Sequence, residues 1–249
     1  MYITTTGLVL REVLYKESSK ILTVLTASLG KITVLAKGAR RKGSKISASC
    51  QLLVCSEMTL FCSKGKYTLT EGRCLEDFSG LRDDIELLAL GSYFAEMMET
   101  VCGYETPEPE MLSLGLNALF ALTEGKRPQK LIKTAFEIRL MCLAGFEPMA
   151  FTCVICGKEE VPNPYLNLEG GTVCCEKCKG SDMGRYIPMC QGSLAAMRYI
   201  ISAEPKKVFS FKLGEESLYR LGKISESYVK KHLDRDFKTL EFYKSVHIN

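Results

Sequence analysis

Two Cys-x-x-Cys pairs, separated by residues 157–174, constrain the fold of this 249-residue chain more than any other feature. The first pair is Cys153 and Cys156, and the second is Cys175 and Cys178. A tight turn at each pair can direct two thiolates at one ion, and two such turns supply a tetrahedral zinc site. Four cysteine ligands leave no position open for water. The spacing therefore predicts one structural Zn²⁺ per chain and not a catalytic one.

A metal site explains the cysteines better than disulfide bonds do. The chain has twelve cysteines, and disulfide frameworks belong to oxidising compartments. No apolar segment follows basic residues at the start of the sequence, so we expect no secretory signal, and the apolar runs are too short to cross a membrane. We therefore predict a cytoplasmic protein with reduced thiols. Two disulfides, or four unrelated thiols, are the alternative interpretations.

Positive charge is concentrated at the start of the chain. Residues 1–80 contain twelve Lys and Arg against six Asp and Glu, a net charge of +6, whereas residues 81–249 contain twenty-one against twenty-three, a net charge of −2. No acidic residue occurs between Lys31 and Lys45. A uniformly solvated surface would mix the two signs, so this asymmetry indicates an anionic partner for the first part of the chain.

A loop within this segment provides the candidate DNA contacts. Gly38 and Gly43 make the loop flexible, and it lies between two predicted strands. Such a loop can follow phosphates without reading base sequence, because each contact releases counterions. A solvated basic surface is the alternative. The candidate DNA-binding residues, called the basic loop below, are Lys37, Arg40, Arg41, Lys42 and Lys45.

Residues 1–80 have the pattern of a small β-barrel. Short runs rich in β-branched residues are separated by turns such as Ser28–Lys31 and Ser63–Lys66. Five strands in about eighty residues favour an OB-fold, and an SH3-like barrel fits the pattern almost as well. The predicted strands are Gly7–Leu14, Ser19–Thr26, Ile32–Ala36, Leu52–Phe61 and Tyr67–Cys74.

Beyond residue 80 the apolar period becomes helical. Asp83 and Asp84 suit a helix start, and Pro107 and Pro128 open the next two helices. The predicted helices are 81–99, 107–123, 128–143, 192–203, 215–233 and 240–246. The predicted fold class is α+β: a five-stranded OB-fold at 1–80, then a helical domain at 81–249 interrupted by a four-cysteine zinc module at 150–182.

Groups that could perform catalysis are missing from the pattern. The two histidines, His232 and His247, lie near the end of the chain, where a helix end and a frayed tail account for them. No Gly-rich loop ends in Lys-Ser or Lys-Thr, so no phosphate-binding loop of the nucleotide-hydrolysing type is predicted. We therefore predict that the protein is not an enzyme.

The order and spacing of several segments resemble the RecO family of bacterial recombination mediators over nearly the whole chain. Before the second cysteine pair, the segment Gly170–Cys175 departs from the usual Gly-Gly-x-x-Cys-x-x-Cys pattern by an extra residue or cysteine. The ligand at this position is therefore Cys175, favoured by turn spacing, or Cys174. The segments that carry the resemblance are Tyr15–Thr23, Gly30–Lys31, Ala36–Arg41, Ser44–Leu53, Leu81–Asp84, Cys153–Gly157 and Gly170–Gly171.

The resemblance implies a function in recombinational DNA repair. It implies an N-terminal OB-fold, a helical domain and, where the cysteines are retained, a zinc module. It further implies binding of single- and double-stranded DNA, annealing of complementary strands, and help in loading recombinase onto coated single strands. A RecR-type protein and the tail of the single-stranded-DNA-binding protein are the partners it implies, with a location at the nucleoid. No membrane partner is expected.

Two other functions fit parts of the pattern. A non-enzymatic helical adaptor could use the barrel as a scaffold for protein contacts, and a zinc-supported nuclease could use the metal. The nuclease lacks catalytic groups in the sequence. DNA binding that weakens with salt would separate a DNA-binding protein from the adaptor, and metal-dependent cleavage would reveal the nuclease.

Overall fold

The computed structural model describes residues 1–180, 184 and 186–246, and the chain divides into two units. Unit 1 comprises Met1–Thr123 together with Phe237–Asn249, and unit 2 is Glu124–Asp236. Residues 181 and 182 of the predicted zinc module, and His247 of the predicted tail, lie outside the described residues. Among the helices that the structure describes, none is long and apolar enough to cross a membrane.

Five strands of unit 1 close into a barrel in the order β1-β2-β3-β5-β4. β3 and β5 pair in parallel, whereas the other neighbours are antiparallel. This order and the parallel pair are the OB-fold arrangement, so the OB-fold prediction is confirmed and the SH3-like alternative is not. The strands are β1 (Tyr2–Tyr15), β2 (Ser19–Thr26), β3 (Gly30–Ala36), β4 (Cys55–Ser63) and β5 (Lys66–Glu76).

Alternation of side chains along the strands fills the barrel. Leu22 and Val24 of β2, and Ile32 and Val34 of β3, are at most 1% exposed and belong to one apolar cluster. Successive side chains of a strand point to opposite faces, so the residues between them point outward. Thr33, for example, is exposed. The barrel therefore has an apolar interior and an outer face that is free for other contacts.

The predicted start of the fourth strand is wrong. The prediction began it at Leu52, but β4 begins at Cys55. Leu53 has a φ of 64°, in the left-handed region, which interrupts an extended strand. Its side chain is nevertheless buried at 2% exposure, and its N–H donates to the carbonyl of Val9 at 2.9 Å. The apolar residues here belong to a turn that is hydrogen-bonded to β1, and their composition alone resembles a strand.

All six predicted helices are present, each within four residues of its predicted bounds. The first begins as expected from its acidic start: the carboxylate of Asp84 accepts hydrogen bonds from the N–H groups of Glu86 at 2.7 Å and Leu87 at 3.3 Å. The helices are α1 (Ile85–Val101), α2 (Pro109–Glu124), α3 (Gln129–Leu143), α4 (Gln191–Ser202), α5 (Glu215–Leu233) and α6 (Lys238–Val246).

In unit 1, α1 covers part of the outer face of the barrel. Glu99 of α1 forms an ion pair with Arg11 of β1 at 2.9 Å. Lys31 of β3 is only 5% exposed, and its ammonium group donates to the carbonyl oxygen of Glu99 near the end of α1. A cation is favourable at a helix C-terminus. Lys31, which opened the acid-free segment of the sequence, is therefore a structural residue of the barrel and not part of its exposed charge.

In unit 2, α3 is the central helix, and it contacts both α4 and α5. It also buries charge: Lys133 is 5% exposed and Glu137 is fully buried. The ammonium group of Lys133 lies 2.8 Å from Glu137 and 2.7 Å from Glu226 of α5. Burial lowers the pKa of Lys133, but the two carboxylates outweigh it and leave that pKa raised. The hydroxyl group of Ser225 also donates to Glu137.

Unit 2 also contains a small antiparallel sheet that the sequence did not predict. Its strands are β6 (Pro164–Asn167), β7 (Thr172–Cys175) and β8 (Tyr186–Pro188), in the order β7-β6-β8. Strands of three or four residues are too short to show a period of two in the sequence. The second cysteine pair begins at the last residue of β7, so this sheet determines where the pair lies.

Candidate metal centre and candidate nucleic-acid interface

The structure brings the four predicted metal-ligating cysteines together. The sulfur atoms of Cys153, Cys156, Cys175 and Cys178 all lie within 4.8 Å of one another. The Sγ atom of Cys175 is 3.8 Å from that of Cys153 and 4.0 Å from that of Cys156. A tetrahedral site with Zn–S bonds of about 2.3 Å has sulfur–sulfur edges of about 3.8 Å. The four sulfurs therefore fit a single tetrathiolate ion.

Two similar turns place the sulfurs. In the first, the N–H of Gly157 donates to the carbonyl of Cys153 at 2.8 Å, and Gly157 has a φ of 72°, which favours glycine. In the second, the N–H of Lys179 donates to the carbonyl of Cys175 at 3.1 Å. Each turn closes four residues after the first cysteine of its pair. The short spacing of each pair thus produces the same local geometry twice.

The strand β7 distinguishes Cys175 from Cys174. Cys174 pairs with Tyr165 and Cys175 pairs with Pro164 of β6. Adjacent residues of a strand face opposite sides of the sheet, and it is Cys175 whose sulfur joins the other three. Cys174 is 2% exposed, and burial raises the pKa of its thiol. Cys174 is therefore a buried apolar residue on the other side of the sheet.

Hydrogen bonds to sulfur favour a thiolate at Cys153. Burial opposes its ionisation, but the backbone N–H groups of Cys156, Cys175 and Ile155 donate to the sulfur and lower its pKa to about 6. The N–H of Cys175 lies 3.5 Å from this sulfur. The thiol of Cys178 instead hydrogen-bonds to the neighbouring sulfurs. These hydrogen bonds, of which the one with Cys175 has the largest effect, raise the pKa of Cys178 to about 12. The same N–H donors would stabilise a metal-bound thiolate at Cys153.

The basic loop follows β3 and is anchored by two apolar residues. Ala39 and Ile46 are 1% and 9% exposed and belong to the core cluster of the barrel. The N–H of Arg40 donates to the carbonyl of Ser18 at 2.9 Å, and its guanidinium group donates to the carbonyl of Glu17 at 3.2 Å. The loop is therefore held against the turn between β1 and β2, with its charged side chains outside the core.

All five predicted DNA-binding residues of the basic loop are exposed. In the part of the chain that the structure describes, no ion pair joins any of them to a carboxylate. Other cations of the barrel are neutralised: Lys20 lies 2.6 Å from Glu12, and Arg73 lies 3.2 Å from Glu57. The basic loop is therefore a concentration of positive charge that the neighbouring acids do not offset.

Three further lysines lie in turns near the start of the basic loop. Lys20 pairs with Ala36 across β2 and β3, and Val34 pairs with Tyr67 across β3 and β5. The turn between β1 and β2, the start of the basic loop and the turn between β4 and β5 are therefore neighbours. Their exposed lysines are Lys16, Lys64 and Lys66. The sequence analysis did not single out Lys16, and its place two residues after the predicted strand Gly7–Leu14 was the available signal.

Comparison with known proteins covers both parts of the chain. The family model described as Recombination protein O N terminal matches residues 1–78, and the one described as Recombination protein O C terminal matches residues 82–241. The chain belongs to the RecO family. DNA repair protein RecO of Acetivibrio thermocellus is 34% identical over 245 residues, with 98% of this chain and 97% of the relative covered. DNA repair protein RecO of Caldicellulosiruptor bescii is 32% identical over 245 residues, with 98% of each covered.

Membership of the RecO family confirms the resemblance that the order of motifs indicated. The similarity extends beyond these two relatives: DNA repair protein RecO of Listeria monocytogenes is 27% identical over 241 residues, covering 96% of this chain and 93% of the relative. The chain is thus a member of a family of DNA repair proteins. Its barrel lies within the N-terminal match, and its cysteine cluster lies within the C-terminal match.

Proposed function

We propose that this RecO-family protein binds single- and double-stranded DNA through its barrel, anneals complementary strands, and helps load a recombinase onto protein-coated single strands. The observation that carries the proposal is the basic loop, with five exposed cations that lack carboxylate partners among the described residues. Two strands of DNA repel each other as polyanions. A surface that neutralises phosphates lowers this repulsion and lets the bases pair.

The proposed binding is independent of base sequence. Lysine and arginine side chains on a loop contact phosphates, which position a protein without reading bases. If all five cations of the basic loop contact phosphates, the logarithm of the binding constant should fall with the logarithm of salt concentration with a slope of about −3.5 for single strands. The slope for duplex DNA should be about −4.5.

The proposed mechanism needs no covalent chemistry, so we propose a non-enzymatic protein. Annealing forms hydrogen bonds and base stacks, and it breaks no covalent bond. Cys153, Cys156, Cys175 and Cys178 would hold Zn²⁺, which supplies structural cross-linking of the two turns and no catalytic water position. In this proposal residues 1–80 bind nucleic acid, and the helical domain at 81–249 includes the zinc module at 150–182.

The proposed partners and location follow from the family. A RecR-type protein and the tail of the single-stranded-DNA-binding protein would provide the link to coated single strands. DNA as the substrate places the protein in the cytoplasm at the nucleoid. A helical adaptor without DNA affinity, which would use the barrel as a scaffold for protein contacts, is the competing function.

One combined experiment tests the proposal. Binding of the full chain to single-stranded and duplex oligonucleotides should be measured by mobility shift across a salt series, with strand annealing measured in the same buffers. We expect binding and annealing to weaken together as salt rises, and no cleavage with or without added metal. Absence of salt-sensitive binding would favour the adaptor, and metal-dependent cleavage would indicate a nuclease.

A further inference from the structure

A row of outward-facing residues crosses the five strands of the barrel and passes close to the start of the basic loop. Each strand contributes one residue, except β1, which contributes one at each end of the row. The strand register pairs each residue of the row with the next. Five of the six side chains are apolar or aromatic, although the outer face of a barrel is ordinarily polar. In register order, the row is Val13, Ile21, Leu35, Thr68, Phe61 and Tyr2.

The aromatic part of the row is exposed. Tyr2 and Phe61 are 67% and 38% exposed, and their ring centroids lie 5.2 Å apart at an interplanar angle of 52°. The strand neighbours Leu60 and Leu69 are at most 3% exposed, so the barrel interior is filled without the two rings. Core packing therefore does not account for Tyr2 and Phe61.

The row lies on a part of the outer face that α1 leaves uncovered. The next outward-facing pair of β1 and β2 beyond Val13 and Ile21 is Arg11 and Thr23. Thr23 is only 4% exposed, and Arg11 forms an ion pair with Glu99 of α1. At the level of the row, Val13 is 47% exposed. Leu35 of the row lies two residues before Lys37, a distance of about 6.6 Å along an extended strand. The row and the first cation of the basic loop are therefore adjacent.

Charge near the row favours a nucleic acid over a protein partner. Carboxylates are present at its edge: Glu17 lies in the turn between β1 and β2, and Glu105 accepts a hydrogen bond from the hydroxyl group of Tyr67 at 3.2 Å. The exposed cations of the basic loop and of the two neighbouring turns outnumber these carboxylates. These cations are Lys16, Lys37, Arg40, Arg41, Lys42, Lys45, Lys64 and Lys66.

We propose that the Tyr2–Phe61 end of the row is a stacking platform for the bases of single-stranded DNA, whose phosphates lie on the basic loop. The inference rests on the proposed function and adds a preference for single strands. Unpaired bases present their faces to aromatic side chains, whereas a duplex stacks its bases internally. The platform thus holds a strand with its bases turned toward the barrel and its phosphates toward the cations, before a complementary strand displaces the protein contacts.

The first test replaces both rings in the full chain. Tyr2→Leu/Phe61→Leu keeps apolar bulk and charge but removes the aromatic faces. We expect single-strand affinity to fall about tenfold, with duplex affinity changed less than twofold and the salt slope unchanged. The matched control is Phe120→Leu/Tyr219→Leu, which removes one Phe and one Tyr ring that are 55% and 59% exposed on α2 and α5. This control should bind both DNAs like the parent.

A second measurement uses the unsubstituted protein and does not depend on how the variant folds. Single strands containing 2-aminopurine should lose fluorescence on binding, because the base stacks on a ring. Strands containing 5-iodouracil should photo-crosslink to Tyr2 or Phe61. Unchanged fluorescence together with crosslinks elsewhere would overturn the platform.

Failure of the platform and failure of the proposed function give different results. If Arg40→Ala/Arg41→Ala/Lys42→Ala weakens DNA binding but Tyr2→Leu/Phe61→Leu binds like the parent, the stacking platform is wrong and the basic loop stands. If neither variant differs from the parent, the barrel is not the DNA-binding part. Equal loss of single-strand and duplex affinity would contradict the single-strand preference. A change in sedimentation on substitution would mean that a second copy of the chain occupies the row.

Discussion

The cysteine cluster and the basic loop are built by opposite means, although each is a loop structure supported by a small sheet. In the cluster, backbone hydrogen bonds such as that from Gly157 to Cys153 turn the chain so that four sulfurs converge within 4.8 Å. In the basic loop, only Ala39 and Ile46 enter the core, and the charged side chains diverge into solvent. Converging sulfurs suit a single ion, and diverging charges suit contacts along a long polyanion such as the proposed DNA. Loss of the cluster should therefore change stability, and loss of the loop charges should change binding.

Cys156→Ala is expected to have the largest effect on stability. Zinc binding contributes on the order of 10 kcal/mol to the folding of zinc-finger peptides, so loss of one ligand should release the ion and loosen unit 2. Metal analysis should find one zinc per parent chain and none in the variant, and limited proteolysis should cleave within 150–182. Cys174→Ala, which alters the neighbouring buried thiol outside the cluster, is the control and should keep its zinc. A zinc-free parent prepared without chelator would refute the site.

Lys133→Met should be the next most destabilising change. It leaves Glu137, which is fully buried, without its cation. Breaking a buried ion pair on one side costs about 3–5 kcal/mol. Chemical denaturation of unit 2 should report this loss, with zinc still bound before unfolding. Glu226→Gln changes the second carboxylate partner of Lys133, whose side chain is 28% exposed. Because this carboxylate is less buried, its loss should lower the free energy of unfolding by less. Equal stability of Lys133→Met and the parent would show that the charges of α3 are not coupled to folding.

A smaller effect is expected from pH at His232. Burial lowers the pKa of this imidazole, and its buried Nε2 atom has no hydrogen-bond partner among the described residues. Because the folded pKa lies below the unfolded value of about 6.5, the unfolded chain binds more protons, and stability is lost as pH falls below that value. The ring of His232 lies against Phe146 and Tyr228, so a phenyl ring can replace it. Between pH 7.5 and pH 5.5, the free energy of unfolding of His232→Phe should therefore fall less than that of the parent. An identical pH dependence in the two proteins would contradict this assignment.

The sequence predicted the elements well because their patterns are local. The predicted helix at 215–233 matches α5 residue for residue, and the apolar helix at 128–143 is the buried α3. The spacing of each cysteine pair fixes its turn, so the cluster was predictable to the residue except at Cys174 and Cys175. The choice between Cys174 and Cys175 required knowledge of β7. This strand has only four residues, too few for an alternation of apolar and polar side chains to be recognised in the sequence.

Features that depend on packing could not be predicted from the pattern. Lys31 has the same charge as its neighbours in the acid-free segment, but only the position of α1 explains its burial against the carbonyl of Glu99. Leu53 occurs in an apolar run that resembles a strand, but it lies in a turn with a φ of 64°, where its N–H donates to the carbonyl of Val9 of β1. Tyr2 and Phe61 are distant in sequence, and only the register of β1 with β4 brings their rings together.

The measurement that tests the central claim most directly is the salt dependence of DNA binding by Arg40→Ala/Arg41→Ala/Lys42→Ala. These exposed charges have no ion-pair partners among the described residues, so their removal should leave stability and zinc content unchanged. The control, Lys158→Ala/Lys177→Ala/Lys179→Ala, removes three exposed charges beside the cysteine cluster. We predict that the loop variant lowers the magnitude of the single-strand salt slope by about 2, with weaker annealing, and that the control keeps the parent slope. A loop variant that binds and anneals like the parent at every salt concentration would contradict the account.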